Sequence, residues 1–217
     1  MPQILKVDPS SWENTLSETR KTLKAGGVVA FPTDTFYGLG VNPYNRIAVD
    51  KVYKIKGRDS EKPLLLLIDS VTKLENLIEE PSAASIKLMQ AFWPGPLTLL
   101  FKPKASSIHE NIAADLIGIR QPGNPITRKI LSALDHPLTA PSANISGGNP
   151  ATTAQQVQDT FGKKVELILD AGKCKGGKPS TLVNATNTPA RLIRAGEIDF
   201  KHIQECLNGY LQTQEYL

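Results

Sequence analysis

The densest group of charged side chains lies at positions 54–62, which read KIKGRDSEK. It contains four cations within nine residues, namely Lys54, Lys56, Arg58 and Lys62. Arginine offers a fork of N–H donors for bidentate contact with a phosphate, and lysine offers a compact positive charge. One interpretation is therefore a clamp for a polyphosphate. The other is a solvated helix end, where basic side chains complement the helix dipole. Taken alone, the segment favours the second.

A second polar segment, 141–148, reads PSANISGG and lies between a short apolar run and a predicted helix. Residues of these types are common in turns, because their side chains hydrogen-bond to the nearby backbone. The same hydroxyl and carboxamide groups could contact a ligand. The residues alone leave both interpretations open.

Two glycine-containing segments imitate nucleotide-binding motifs without completing them. Residues 172–178 (GKCKGGK) are similar to a phosphate-binding P-loop, but Pro179 stands where a Ser or Thr would bind Mg²⁺. A P-loop also opens a helix, whereas 181–183 are typical of a strand. Residues 38–43 (GLGVNP) end in proline where a dinucleotide fingerprint has its third glycine. We interpret 172–178 as a basic surface turn and set both motifs aside.

Composition limits the function classes further. The 217 residues fit one large domain, and a net charge of +4 is compatible with an anionic ligand but too small to indicate nucleic acid by itself. Two cysteines, Cys174 and Cys206, are too few for a disulfide framework, and the three histidines lack metal-ligand spacing. We therefore expect no protein metal site. The N-terminus has no apolar leader and the longest aliphatic run, 64–68, is too short for a membrane span, so we expect a cytoplasmic protein without membrane contact.

Strands and helices alternate in the predicted elements that must position these residues. Helices are predicted to begin near Trp12 and after a cap at Thr152 or Thr153, and to occupy 46–55, 71–79, 82–92, 124–134 and 200–211. Strands are predicted at 28–31, 64–68, 97–101, 116–120, 165–169, 181–184 and 191–194, with an ordered loop at 137–150. The alternation predicts an α/β domain with one sheet, parallel or mixed, and helices packed on it.

Taken together, several short motifs are similar to those of the YrdC/TsaC family of L-threonylcarbamoyl-AMP synthases. In chain order they are GGVVAFPTDTFYGLG at 26–40, KGR at 56–58, KPL at 62–64, WPGPLT at 93–98, GIR at 118–120, APSANISG at 140–147, STLV at 180–183 and RAG at 194–196. The resemblance covers about residues 12–200. It implies a single YrdC-like domain over 1–217, with a twisted mixed sheet flanked by helices and a basic central cleft.

The resemblance also implies a reaction. Members of this family join L-threonine, bicarbonate or CO₂, and ATP into threonylcarbamoyl-AMP and pyrophosphate, for the threonylcarbamoyladenosine modification of tRNA. Mg²⁺ would accompany ATP, and a tRNA threonylcarbamoyl transferase would receive the product. Weak contact with tRNA itself would be compatible with this role.

The family signature pairs are Lys-x-Arg and Ser-x-Asn. By resemblance the catalytic residues would therefore be Lys56, Arg58, Ser142 and Asn144. The expected ATP contacts are Lys56, Arg58, Lys62, Asn144, Thr152 and Arg194, and the expected threonine contacts are Thr35, Arg120, Ser142 and Ser180.

The sequence departs from the family pattern at four positions. Asp59 stands where Pro is frequent, Ala195 replaces the Pro of Arg-Pro-Gly, and Asn184 replaces a frequent Asp. Leu67 lies where some longer relatives have a threonine-contacting His. The departures at Leu67 and Asn184 concern the threonine side of the site.

Two other functions compete with this expectation. One is an RNA- or tRNA-binding module of the same fold without adenylation activity, although no exposed aromatic run accompanies the basic residues. The other is a related enzyme that forms or hydrolyses a different carbamoyl adenylate. The intact signature pairs favour threonylcarbamoyl-AMP synthesis over both.

Overall fold

The computed structural model describes residues 1–104, 108, 112 and 115–214, with side chains described as far as residue 208. Its strands are β1 (Gln3–Lys6), β2 (Val29–Phe31), β3 (Gly38–Gly40), β4 (Leu66–Leu67), β5 (Leu97–Phe101), β6 (Ile117–Arg120), β7 (Leu138–Thr139), β8 (Leu167–Asp170), β9 (Thr181–Asn184) and β10 (Arg191–Arg194). Its α-helices are α1 (Trp12–Lys24), α2 (Arg46–Lys56), α3 (Ala83–Phe92), α4 (Pro125–Ser132), α5 (Ala154–Phe161) and α6 (Phe200–Gln214). Short 3₁₀ turns occupy Val71–Asn76 and Gly162–Lys164.

The strands form two mixed sheets. The order is β1-β8-β2-β3 in the first and β10-β9-β5-β6-β4-β7 in the second. Antiparallel hydrogen bonds join the edge of one to the edge of the other, from Leu39 N to Pro141 O at 2.9 Å and from Ala143 N to Tyr37 O at 2.7 Å. The predicted α/β architecture with a mixed sheet and flanking helices is confirmed, and the expected single sheet is divided at this junction.

Two apolar cores lie on opposite faces of the strands. Along β2 and the residue before it, Val28 and Ala30 belong to one core and Val29 and Phe31 to the other, as the two-residue period of a strand requires. Helix α1 packs on the second core through Trp12, Leu16 and Leu23. Strand β2 is therefore buried on both sides.

Capping residues mark the ends of several helices. Asn45 caps α2 by accepting a hydrogen bond from Ala48 N, and Gly57 ends it in the left-handed conformation at φ 55°. Thr153 caps α5 by accepting from Gln156 N, as predicted. Ser11 stands at the start of α1, but its hydroxyl donates to the carbonyls of Lys6 and Asp8 and does not cap the helix.

Some elements differ from the prediction. The predicted helix at 71–79 is a 3₁₀ turn, the strand predicted at 64–68 shortens to β4, and the loop predicted at 137–150 contains β7. Strands β1 and β3 were not predicted. In β3, a Cβ at Gly40 would lie 2.7 Å from the ring of Phe31 on the paired strand β2, so the glycine leaves room for that ring. Among the described residues, no helix has the length and apolarity to cross a membrane.

Candidate active site

A cleft of about 570 Å³ lies over one face of the six-stranded sheet. Neighbouring strands supply its floor, with Thr98 from β5, Arg120 from β6 and Leu182 from β9. Seven of the ten predicted site residues line it, namely Thr35, Arg58, Lys62, Arg120, Ser142, Ser180 and Arg194. Segments up to 159 residues apart in the chain, from Thr35 to Arg194, thus meet at one surface.

Three arginines, Arg58, Arg120 and Arg194, line this cleft. The pKa of Arg194 is lowered, first by burial of its guanidinium and then by the positive charges of Arg120 and Arg58. The two other guanidinium groups thus contribute to the electrostatic surroundings of Arg194. The cleft therefore concentrates positive charge, which is the condition for binding a polyanion.

Arg58 lies at the end of α2, held by its own loop. Its Nε donates to the Lys62 carbonyl at 2.9 Å, and its Nη2 donates to the Pro63 carbonyl at 3.1 Å. Burial is the main cause that lowers the pKa of Arg58. The two interpretations of 54–62 are thus compatible, because the basic helix end also forms a wall of the cleft.

Arg120 is 3% exposed and lies beside Asp34. Its Nη2 is 3.0 Å from Asp34 Oδ1, which is an ion-pair distance without hydrogen-bond geometry. Its Nε has no hydrogen-bond partner within the described part of the chain. Burial lowers the pKa of Arg120 and the Asp34 charge opposes this effect. A buried donor without a partner is costly, so the site is suited to a ligand that brings an acceptor oxygen.

Arg194, at the end of β10, is oriented by Ser180. Its Nη2 donates to the Ser180 carbonyl at 2.9 Å and to the Ser180 hydroxyl at 3.1 Å. Gly196 makes this approach possible, because a Cβ there would lie 2.4 Å from the Pro179 oxygen and from the Thr181 nitrogen. The glycine of the motif at 194–196 is therefore required for packing.

Lys56 occupies a different position from the one expected of an ATP contact. It is 1% exposed, it does not line the cleft, and its Nζ donates to the carbonyls of Ser142 at 2.5 Å and Asn144 at 2.7 Å. Burial is the main cause that lowers its pKa to about 8, and Arg58 adds to it. The ammonium group thus holds the loop 141–148, which contains Ser142, against the C-terminal end of α2.

Asn144 also works within this loop. Its amide donates to the carbonyls of Ile145 at 2.7 Å and Gly148 at 2.9 Å, and its Oδ1 accepts from the Ser142 hydroxyl at 2.6 Å. Asn144 is buried and does not line the cleft. Of the Ser-x-Asn pair, only the serine therefore faces the cleft in this arrangement, and the asparagine orients it.

Thr152 stands just outside the cleft walls, beside the glycine-rich segment 172–178. Its carbonyl accepts from Cys174 N at 2.8 Å, and the Thr35 carbonyl accepts from Gly176 N at 2.8 Å. The segment interpreted as a surface turn is therefore hydrogen-bonded to both threonines. The strand predicted after it, and used to set aside a P-loop, is present as β9.

Two of the departures from the family pattern, Leu67 and Asn184, lie away from the cleft. Leu67 is fully buried in the second core, whereas its neighbour Leu65 lines the cleft. Asn184 accepts hydrogen bonds from the backbone nitrogen and hydroxyl of Thr186, in a turn after β9. Neither Leu67 nor Asn184 contributes to the cleft lining.

The sequence analysis assigned no role to Asp34 and Thr98, two polar residues that contact predicted site residues. Asp34 is the ion-pair partner of Arg120, and Thr98 shares a hydrogen bond of 2.8 Å with the Ser180 hydroxyl. Both belong to motifs quoted above, at 26–40 and 93–98. In the described ranges, no three His, Cys, Asp or Glu side chains come together as ligands for a metal ion.

Comparison with known proteins agrees with this geometry. The sequence profile of the Sua5/YciO/YrdC family, described as telomere recombination, matches residues 21–196. The chain is 37% identical over 187 residues to a threonylcarbamoyl-AMP synthase of Pyrococcus abyssi, which is 85% of this chain and 55% of the relative. It is 36% identical over 204 residues to a putative threonylcarbamoyl-AMP synthase of Methanocaldococcus jannaschii, covering 94% of this chain and 96% of the relative.

A solved structure shows that the similarity extends to the three-dimensional fold. The structure of P. abyssi Sua5 complexed with L-threonine superimposes with a TM-score of 0.87 at 33% identity. The match covers 95% of this chain and 60% of the other. The chain thus spans little more than half of the P. abyssi protein and nearly all of the M. jannaschii protein. On these grounds of sequence and structure, the chain belongs to the Sua5/YciO/YrdC family, as the motifs predicted.

Proposed function

We propose that this protein is a threonylcarbamoyl-AMP synthase, which forms L-threonylcarbamoyladenylate and diphosphate from L-threonine, bicarbonate or CO₂, and ATP. The observation that carries the proposal is the convergence of Arg58, Arg120 and Arg194 on one cleft. Relatives with the corresponding name, at 36–37% identity, support it.

The chemistry explains why converging cations are useful. Carbamate, threonine carboxylate and triphosphate are all anions, so mutual repulsion opposes their assembly. Two unit charges ~4 Å apart interact by about 4 kcal/mol at an effective dielectric constant of ~20. Fixed guanidinium groups offset several such terms and do not have to reorganise during the reaction.

In this proposal the triphosphate and the threonine carboxylate bind to different residues of the cleft. Arg58, Lys62 and Arg194 hold the triphosphate while a carbamate oxygen attacks the α-phosphorus and pyrophosphate leaves. The buried Arg120, whose Nε lacks a partner among the described residues, holds the threonine carboxylate. We assign catalysis mainly to positioning and charge stabilisation, as in other phosphoryl transfers.

The hydroxyl groups and the loop residues have the remaining roles. Thr35, Ser142 and Ser180 contact the polar groups of threonine, and a site that binds its hydroxyl can reject analogues without one. We propose that Lys56 and Asn144 act on the substrates through the loop that they hold. A direct contact from Thr152 or Asn144 to ATP requires this loop or the 172–178 segment to adjust when ATP binds.

The proposal extends to partners and location. Mg²⁺ would arrive with ATP, held by phosphates and water. The product would pass to a tRNA threonylcarbamoyl transferase in the cytoplasm, with at most weak direct contact to tRNA. We also propose that residues 1–217 act as one domain.

Pyrophosphate release tests the function directly. The purified protein should release pyrophosphate from ATP only when threonine and bicarbonate are both present, and serine or valine should be poor substitutes. Arg58→Ala should lower this rate at least about 100-fold, since it removes a charge-assisted contact to the phosphates. Lys54→Ala, an exposed cation in the same segment, is the matched control and should stay near the wild-type rate. Near-full activity in Arg58→Ala would refute the clamp.

An RNA-binding module without adenylation activity remains the competing function. It predicts tight tRNA binding that weakens steeply with salt, together with no pyrophosphate release. The names of the relatives give it no support. A salt titration of tRNA binding, run beside the pyrophosphate assay, separates the two functions.

A further inference from the structure

One hydroxyl group connects the two ends of the cleft. Ser180 Oγ accepts a hydrogen bond from Arg194 Nη2 at 3.1 Å and lies 2.8 Å from Thr98 Oγ1. Under the proposed function, Ser180 contacts threonine and Arg194 contacts ATP. The hydrogen bond between Ser180 and Arg194 therefore links the two proposed substrate positions, and Thr98 contacts the residue on the threonine side.

The arrangement of Thr98 suits it to set the direction of the Ser180 hydroxyl. A serine hydroxyl has one proton and two acceptor sites, and Arg194 uses one of the acceptor sites. Thr98 is 1% exposed, lies on the cleft floor, and shares its hydroxyl with Ser180. Without this partner the Ser180 hydroxyl would keep only the hydrogen bond from Arg194 among the described contacts.

Arg194 depends on the same residue for its own orientation. Its Nη2 and Nε both donate to the Ser180 carbonyl, at 2.9 Å and 3.3 Å. Within the described residues no carboxylate forms an ion pair with Arg194. The hydrogen bonds of its guanidinium go to the carbonyl and the hydroxyl of Ser180. A change in the Ser180 hydroxyl is thus transmitted to the guanidinium by a direct hydrogen bond.

We propose that Thr98 is a positioning residue that couples threonine binding to ATP binding through Ser180 and Arg194. When threonine engages the Ser180 hydroxyl, the bond to Arg194 holds that guanidinium towards the phosphates, and the effect is reciprocal because coupling between two sites is mutual. This inference rests on the proposed function. Neither the role of Thr98 nor the coupling between threonine binding and ATP binding is part of the proposed substrate contacts.

Calorimetric titration measures the coupling without turnover. Threonine is titrated into the protein with bicarbonate present, in the absence and in the presence of α,β-methylene ATP, an analogue that cannot release pyrophosphate. In the wild type we expect the analogue to tighten threonine binding. In Thr98→Val this factor should fall about three- to tenfold, the effect of losing one hydrogen bond. Thr98→Ser keeps the hydroxyl and should restore it.

A matched variant separates coupling from stability. Thr19→Val removes the hydroxyl of another buried threonine, which bonds to the Thr15 carbonyl within α1. It should be destabilised to a similar extent but keep the wild-type coupling. Equal coupling in Thr98→Val and the wild type, or no coupling in the wild type, would overturn the inference. Failure of the proposed function would appear separately, as a wild type without threonine-dependent pyrophosphate release.

Discussion

Replacement of Lys56 by methionine tests whether this cation holds the loop at 141–148. The side chain is 1% exposed and its ammonium donates to the carbonyls of Ser142 and Asn144. Hydrogen bonds from charged donors contribute about 1.5–3 kcal/mol each. Burial opposes them, because lowering the pKa from 10.5 to about 8 corresponds to about 3 kcal/mol.

These two terms predict a characteristic dependence on pH. Between about pH 8 and pH 10.5 the unfolded chain binds a proton that the folded chain has released, so the wild type gains stability as the pH rises. Lys56→Met lacks this gain. We expect the variant to be less stable than the wild type by about 1 kcal/mol at pH 7, where the two terms nearly cancel. The deficit should grow to about 4 kcal/mol at pH 10.5.

Urea unfolding followed by tryptophan fluorescence measures the difference at each pH. Comparing two variants cancels the titration of groups that they share. Lys54→Met is the matched control, because Lys54 is an exposed cation in the same helical turn, and its difference from the wild type should stay flat. A flat difference for Lys56→Met as well would refute the account of a buried, loop-holding ammonium. Pyrophosphate release should also fall in Lys56→Met, since Ser142 loses its support.

Three further predictions concern individual contacts. Gly196→Ala should cost about 1–3 kcal/mol in urea unfolding and raise KM for ATP, because the added methyl group displaces the strand that carries Arg194. Asp34→Asn should destabilise the protein by about 3 kcal/mol, since Arg120 loses its ion-pair partner. Because the threonine carboxylate would then supply the missing charge, threonine should raise the Tm of this variant more than that of the wild type. An equal rise in Tm would contradict the pairing. Burial raises the pKa of Cys174 to about 11, so at pH 8 iodoacetamide should modify Cys206 first, as mass spectrometry can test.

Local sequence determined many of the elements that carry the site. The asparagine before α2 and the glycine after it set the limits of that helix, because capping depends on groups within a few residues. Strands β5, β6 and β9 followed from short apolar runs. The ordered motifs indicated the family, and seven of the ten residues chosen from them line one cleft.

Only the tertiary structure decided which of those residues face a ligand and which hold the others in place. Lys56 and Ser142 are 86 residues apart, and no local pattern indicates that the lysine ends on a carbonyl and not in the cleft. The pairing of Asp34 with Arg120 and the hydrogen bond between Thr98 and Ser180 likewise join separate strands and loops. The physical reason is that caps and periodicity are properties of neighbouring residues, whereas burial and charge pairing depend on how distant segments pack together.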